Sequence, residues 1–467
     1  MHWMARPAQI SRENLAPLIR VRGPVSATEL AGLLRVNRTT IARTLPDFGD
    51  ELVTLGATRN TRYLLRRGIR NIGNRWPLYR VDADGRANEW AELEALHERL
   101  WLVNWTGTPP AWAGLFVEEN GLWSGFPLFL GDARPQGFLG RAIASRISRT
   151  LQLPDDPRSW SDEDVLIYHQ AAGEDLPGNL VIGDDCLRRA LARSADLSGG
   201  NVISEADRES FYPVQAMEIA RNLPGSSVGG EQPKFLTTLR DECGRFHPVL
   251  VKFSAPMDQA TGQRWADLLL CEFHAHQVLA EAGLANPGAR LLDAGGRRFL
   301  EIPRFDRVGP GGRRGVVSLE ALASSLIGAL SRNWIEATSE FYRRGLIDSG
   351  SLAAIQRLHA FGELIGNTDM HFGNLAFFLD ESLPLQVTPA YDMLPMLWAP
   401  GSQGELIERQ FAPAPPLPAL TEPWREAAGW AENFWDRVTG DSRLSPGFGR
   451  MAHEGGAVVR QLRSHVG

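Results

Sequence analysis

The chain has 467 residues, a formal net charge of −6, and 43% hydrophobic against 22% charged side chains. At roughly 100–200 residues per domain this composition fits two to four globular domains and excludes a disordered or fibrous protein. Three scattered cysteines without a C-x-x-C exclude a disulfide framework; the start carries no apolar leader and no run reaches the roughly 18 apolar residues of a membrane span, so a reducing, cytoplasmic setting is expected.

Charge is uneven from the first element onward. Residues 1–80 hold 14 arginines against five acids, a balance of +9 that leaves −15 on the remainder. Such asymmetry points to a basic N-terminal module with an anionic partner, most often nucleic acid. A helix is expected from about Glu13 to Val21. Ser26-Ala-Thr-Glu29 reads as a capping box opening a second helix, with Leu30, Leu33 and Leu34 on one face. After a brief turn, Asn37 caps a third helix whose Ile41, Leu45 and Phe48 point inward. Thr39, Thr40 and Arg43, with Arg38 at the helix start, then lie on the outward side, where a recognition helix meets bases and phosphates. Two β-rich runs, 52–56 and 61–67, flank a turn at Arg59-Asn60 and add Arg59 and Arg62 as a basic wing. Residues 1–76 are therefore expected to be a winged helix-turn-helix that binds DNA.

Residues 77–217 are Trp-rich and turn-rich; Leu115 to Trp123 reads as two strands around an Asn-Gly turn. Residues 218–310 alternate strands with one long helix, and 311–467 are mainly helical. The five prolines between Ala412 and Pro423 suggest an extended surface connection. The expected class is α+β, with a sheet-bearing lobe ahead of a helical one.

Four segments in this second half carry chemistry. Ser226-Ser-Val-Gly-Gly-Glu-Gln-Pro-Lys234 puts adjacent glycines where backbone N–H groups approach phosphate oxygens, and a lysine behind them. Pro248-Val-Leu-Val-Lys252-Phe places a second lysine in a β-rich run. Only these two of the 49 basic residues are lysine. An Arg-biased composition accounts for the other 47, and a compact ammonium where arginine is the default marks sites too tight for a planar fork. The helix over about 263–282 sets Glu272 on an apolar stripe with Leu268, Ala275 and Leu279, so its carboxylate needs a buried partner, for which Lys252 is the obvious choice. Finally, Gly366-Asn-Thr-Asp369-Met-His-Phe-Gly-Asn374 is followed by a hairpin and Thr388-Pro-Ala-Tyr-Asp392. An Asp and an Asn five apart, then two strands and another Asp, match the order of kinase catalytic parts, in which one carboxylate orients an acceptor hydroxyl while Asn and Asp hold Mg²⁺.

This ordered set, together with Cys-Glu-Phe-His and Pro303-Arg-Phe-Asp-Arg307, resembles the HipA-like serine/threonine kinases, toxin components of bacterial toxin–antitoxin systems, over roughly residues 80–440. The fused helix-turn-helix makes it similar to their solitary, YjjJ-type branch. The resemblance implies a kinase-like bilobal fold, ATP and Mg²⁺ as cofactors, Asp369 as base, Lys252 and Glu272 as the ATP-phosphate ion pair, and Asn374 and Asp392 as metal ligands. It places Val228, Gly229, Gly230, Gln232, Lys234 and His371 at the nucleotide, and autophosphorylation at Ser226 or Ser227. Family targets include aminoacyl-tRNA synthetases; a protein substrate, DNA, an antitoxin and a second copy of the chain are the partners it implies. The sequence departs from the family at Pro303, usually Glu, and at Gly373, usually Lys.

The alternative is a DNA-binding regulator whose kinase-like part binds nucleotide without transferring phosphate. A sugar-kinase-type repressor lacks its Asp-x-Gly-Gly-Thr motif here. A metal hydrolase has little support, because His274 and His276 stand two apart on one helix and face differently.

Overall fold

The computed structural model describes residues 10–116, 121–196, 202–222, 232–326, 333–401 and 403–466. It begins with α1 (Arg12–Arg22), α2 (Ala27–Leu34) and α3 (Arg38–Thr44), then an antiparallel ribbon of β1 (Leu52–Leu55) and β2 (Arg62–Leu65). The capping box forms in both directions: Ser26 Oγ accepts from Glu29 N at 3.2 Å, and Ser26 N donates to Glu29 Oε2 at 2.7 Å. Arg35, in the left-handed conformation, ends α2. Leu15, Ile19, Leu30, Ile41, Leu45 and Phe48 close one small core. Leu33, expected inward, is exposed, because the short α2 buries the face carrying Ala27, Leu30 and Ala31. Asn37 does cap α3 by position, yet its side chain makes no capping hydrogen bond.

The middle of the chain folds around a five-stranded antiparallel sheet ordered β6-β5-β4-β3-β7. Its strands are β3 (Arg75–Val81), β4 (Ala87–Ala95), β5 (Leu100–Trp105), β6 (Leu122–Ser124) and β7 (Leu180–Ile182). Helices α4 (Gly137–Leu151), α5 (Asp162–Ala172) and α6 (Asp184–Ala195) accompany it. Trp76, Trp101, Trp112 and Trp123 are all buried here, which accounts for the Trp-rich composition. Residues 117–120 of the expected hairpin over 115–123 lie outside the described residues; on either side, Leu115 sits in a 3₁₀ turn and Leu122 opens β6. Trp112 anchors the turn before it: its indole N–H donates to the Asp380 carbonyl at 2.9 Å.

A second five-stranded sheet, ordered β11-β12-β10-β9-β8, comprises β8 (Val202–Ser204), β9 (Lys234–Arg240), β10 (Phe246–Phe253), β11 (Arg290–Ala294) and β12 (Arg297–Pro303). Period-2 alternation sends Val249, Val251 and Phe253 to one face, where α7 (Arg208–Asn222) covers them with Tyr212 and Ala216. The other face carries Leu300 and Ile302 against Leu269 of α8 (Ala260–Glu281). The boundary expected at 217/218 falls inside α7. β8 pairs parallel with β9, so residues 202–222 belong with this sheet and not with the Trp-rich part.

Two small ribbons follow: β13 (Arg307–Val308) with β14 (Gly312–Arg313), and β15 (Val316–Ser318) with β16 (Ala376–Phe378). The rest is mainly helical, as expected: α9 (Leu319–Leu326), α10 (Trp334–Arg343), α11 (Ser349–Leu364), α12 (Thr421–Gly440) and α13 (Pro446–Val466). Trp435 of α12 locks onto α11 through its indole N–H, which donates to Leu364 O at 3.1 Å. The proline-rich connection runs without regular structure only to Leu417; a 3₁₀ turn follows, and Pro423 lies in the first turn of α12, where its missing N–H costs nothing. Among the described residues, no helix is long and apolar enough to cross a membrane. The fold is mixed α/β.

Candidate active site

The site forms where β10, α8 and the loop after α11 converge. Lys252 is on the α8 face of β10, in register with Leu300 of β12 and with Lys234 of β9. The two lysines of the chain are thus cross-strand neighbours. Lys252 is 3% exposed, and a buried ammonium needs counter-charge. It has two partners: Glu272 Oε1 at 2.5 Å and Asp392 Oδ1. Glu272 is buried on α8, as the apolar stripe predicts.

The electrostatics of the three groups follow from burial and proximity. Burial favours neutral Lys252, but the two carboxylates outweigh it and hold the ammonium charged. Burial would also raise the Asp392 pKa, but Lys252, with Lys234 behind it, more than reverses this and keeps the carboxylate ionised well below its ordinary range. For Glu272 the balance goes the other way: burial dominates, Lys252 only partly offsets it, and its pKa lies above the usual value. Glu272 Oε2 has no hydrogen-bond partner among the described residues. Asp392 adopts φ +54°, a left-handed backbone that side chains rarely take and that concentrates at functional sites.

The loop after α11 is wired to the same point. Asn367 Oδ1 accepts from Asp369 N at 3.0 Å, and its Nδ2 donates to the Asp392 carbonyl at 3.1 Å. Asn374 Nδ2 donates to Asp369 O at 2.8 Å, closing the five-residue loop on itself. Asp369 is exposed, whereas Asn374 is buried. Asn374 Oδ1 accepts no hydrogen bond among the described residues, and the second Asp392 oxygen is equally free. Two oxygens from two residues suit Mg²⁺, which takes few protein ligands and completes its shell with water and phosphate.

Among the expected site residues, the structure joins Lys252, Glu272 and Asp392 directly, and ties Asp369 to Asn374 through the loop. His371 is exposed; its Nδ1 accepts from Gly373 N at 3.0 Å. A Cβ on Gly373 would lie 2.9 Å from the His371 ring, so the imidazole occupies the space that a lysine side chain would need there. Gln232 is buried just before β9. Ser226, Ser227, Val228, Gly229 and Gly230 lie outside the described residues. His274 bonds Asp441 at 3.0 Å, whereas burial and Lys252 push His276 down to about 4; among the described residues no cluster of three or more such side chains is placed to hold a metal. Asn367 is the residue that sequence reasoning passed over. Its signal was the Asn-x-Asp spacing, an Asx turn that presents the second carboxylate.

Comparison with known proteins gives the family. A YjjJ-like toxin middle-domain family matches residues 72–191, and the HipA-like C-terminal domain family matches 226–433. Toxin YjjJ of Escherichia coli (strain K12) is 35% identical over 447 residues, spanning 96% of this chain and 97% of that protein. The chain belongs to the YjjJ-type, HipA-like toxin family. Solved structures show a more distant likeness. HipA of Shewanella oneidensis MR-1, in complex with HipB and operator DNA, is 14% identical, with a TM-score of 0.46 over 84% of this chain and 95% of that one. The Helicobacter pylori proinflammatory kinase CtkA is 12% identical, with a TM-score of 0.34 over 48% and 91%. Within the HipA-like family match fall all the catalytic candidates, from Lys252 to Asp392; the N-terminal three-helix part lies outside both domain matches.

Proposed function

We propose that this HipA-like toxin is an ATP- and Mg²⁺-dependent protein serine/threonine kinase of kinase-like bilobal fold. The observation that carries the reading is the single buried junction of Lys252, Glu272 and Asp392, tied by Asn367 to the loop bearing Asp369 and Asn374. Phosphoryl transfer needs few covalent parts and mainly positioning and charge. Lys252 supplies a rigidly held cation for nucleotide phosphates, with Glu272 fixing its reach from α8. Asn374 and Asp392 would hold Mg²⁺, which when bound neutralises charge on the transferring phosphoryl group. Asp369, exposed at the loop tip, orients the acceptor hydroxyl and takes its proton. Gly229, Gly230 and Lys234 complete the phosphate cradle in this reading, and Ser226 or Ser227 receives phosphate in cis; the added charge of about −1.5 to −2 beside the nucleotide phosphates turns the enzyme off. The acceptor in trans is a cellular protein, with translation components the first class to examine.

The N-terminal part is proposed to bind DNA. Arg38, Thr39, Arg43 and Arg59 are exposed on one basic module, Thr40 is half-buried, and Arg62 is exposed but paired with Glu29 at 3.1 Å, which leaves it a weaker phosphate contact than the others. An antitoxin and a second copy of the chain remain proposed partners, and a cytoplasmic setting the proposed location.

The test is transfer itself. Purified full-length protein with labelled ATP and Mg²⁺ is expected to label itself or a lysate protein, and Asp369→Asn to abolish the label without loss of fold. Saturable nucleotide binding with no transfer to any protein would replace this reading with that of a nucleotide-sensing DNA-binding regulator.

A further inference from the structure

On the sheet face that carries Lys252, but four residues back along β10 (about 13 Å), a cavity of about 70 Å³ separates the second sheet from the middle part of the chain. Its wall holds four arginines: Arg193 from α6, Arg304 just after β12, Arg307 of β13 and Arg313 of β14. Against them stand Asp175 and Asp196.

Their pairing is unequal. Asp175 is shared by Arg193, Arg304 and Arg307 at 3.4, 3.1 and 2.9 Å. Asp306, just behind the wall, is shared by Arg304 and Arg307 at 2.9 and 2.7 Å. Arg313 pairs with no carboxylate among the described residues. Its Nη2 donates to the Glu174 carbonyl at 2.6 Å; its Nη1 has no hydrogen-bond partner among the described residues, although the residue is only 6% exposed. Four guanidinium groups therefore meet three carboxylates, and the surplus charge is on the most enclosed of them.

Burial, with repulsion from Arg307 and Arg304, outweighs the more distant attraction of Asp175 and Asp306 and lowers the Arg313 pKa to about 10, which still leaves it charged at neutral pH. A buried cation whose nearest carboxylates are already shared by other guanidinium groups is costly to keep, and a ligand that supplies the missing charge offsets that cost. The backbone holds it there. Arg313 N donates to Asp82 O at 2.9 Å, and a Cβ on the preceding Gly312 would lie 2.0 Å from Ala83 O, so only glycine lets β14 dock this closely.

We propose that this cavity binds a small oxyanion of the phosphate class, gripped by Arg313 and covered by Arg193. Guanidinium matches tetrahedral oxyanions with two parallel N–H donors, and the volume suits one such group and not a nucleotide. The bound anion would bridge α6 of the middle part to β14 beside the catalytic sheet, and so stiffen the contact between them.

The experiment uses the full chain in chloride buffer at constant ionic strength, without nucleotide. Inorganic phosphate and glycerol phosphate are titrated by calorimetry and by thermal shift. Saturable binding of phosphate that raises the melting temperature is expected. If the ester binds as well as the free ion, the natural ligand carries its phosphoryl group on a larger body; if it does not, the ligand is the free ion. Arg313→Met should weaken binding at least tenfold, without lowering the melting temperature of the unliganded protein. Arg193→Gln, on a half-exposed side chain, should weaken binding several-fold and carries the test if the first variant does not fold. Lys252→Met should leave this binding intact. Absence of saturable phosphate binding, unchanged binding in the Arg313 and Arg193 variants, or loss of binding only with Lys252→Met would overturn the proposal.

Discussion

Two buried ion clusters sit on opposite faces of the same sheet, and they are finished to different degrees. On the α7 face, Glu301 uses both oxygens: Oε1 accepts from Arg208 at 3.0 Å, and Oε2 from Arg208 and Tyr212, each at 2.7 Å. Arg208 donates two further hydrogen bonds to Glu205. On the α8 face, one strand position away, Lys252 meets two carboxylates, but Glu272 keeps an orphan oxygen and Asp392 sits in a rare backbone conformation. A fully satisfied buried network rigidifies a fold, whereas open valences and strain mark groups held ready for something else. The same sheet thus separates a structural clasp from the candidate active site.

The sharpest way to break that contrast is to remove chemistry without touching the fold. Asp369→Asn is expected to cut phosphoryl transfer about 10³-fold, within the range for loss of a general base, with an unchanged melting temperature because the side chain is exposed. Asp392→Asn should cut transfer as far and abolish the Mg²⁺ dependence of nucleotide binding, and it should also lower the melting temperature, because it removes one of the two carboxylates that hold the buried Lys252. Asn tolerates the left-handed backbone, so retained transfer in the folded fraction of that variant would argue that Asp392 is only structural.

The converse variant is Arg208→Met on the opposite face. Removing one partner of a buried pair leaves Glu301 uncompensated and should cost roughly 3–5 kcal/mol of stability. Calorimetry checks it, and any soluble fraction should retain a normal KM for ATP. Selective loss of activity at full stability would erase the distinction between the two clusters.

Lys252→Arg tests how tight the working site is. The planar fork cannot take the place of a buried ammonium held by Glu272 at 2.5 Å, and transfer should fall on the order of 100-fold or more with the protein still folded. Retained activity would show that the two lysines are an accident of composition.

Smaller effects come from pH and from the basic module. Glu272 has a raised pKa, so the native state binds its proton more readily than the unfolded chain does. The ionised form therefore subtracts stability above the unfolded carboxylate range, and that cost disappears as pH falls below it. Glu272→Gln should accordingly melt no lower than wild type at pH 8, lose that advantage in acid, and raise KM for ATP. Asp392 has the opposite sign: its stabilisation is present at neutral pH and is lost as pH falls through its depressed pKa. Arg43→Ala should weaken DNA binding by about 1 kcal/mol and lower the salt slope by about 1, with phosphoryl transfer unaffected.

Much of the candidate site was legible because the proposed phosphoryl transfer demands particular atoms in a short, ordered span. Asp369 and Asn374 lie within one loop, and the apolar stripe of α8 announced that Glu272 would be buried with its charge. The boundary at 217/218 was not legible. β8 is three residues long, and its parallel pairing with β9 reaches across more than 30 positions, so no local period reveals it. Leu33 misled for the reverse reason: three leucines within five positions suggest one face, but an eight-residue helix needs only one narrow stripe, and tertiary packing chose Leu30.

By itself, the sequence determined which groups are chemically special: two lysines in an arginine-rich chain, and a carboxylate, an amide and a second carboxylate in fixed order. Tertiary structure alone decided how they meet. The register of β9 against β10 set Lys234 opposite Lys252, Asn367 bound the loop to Asp392, and Arg313 was left in a wall where, among the described residues, no carboxylate pairs with it. The physical reason is range. Residue chemistry and short spacing are local properties of the chain, whereas counter-charge, register and burial depend on partners tens or hundreds of positions away.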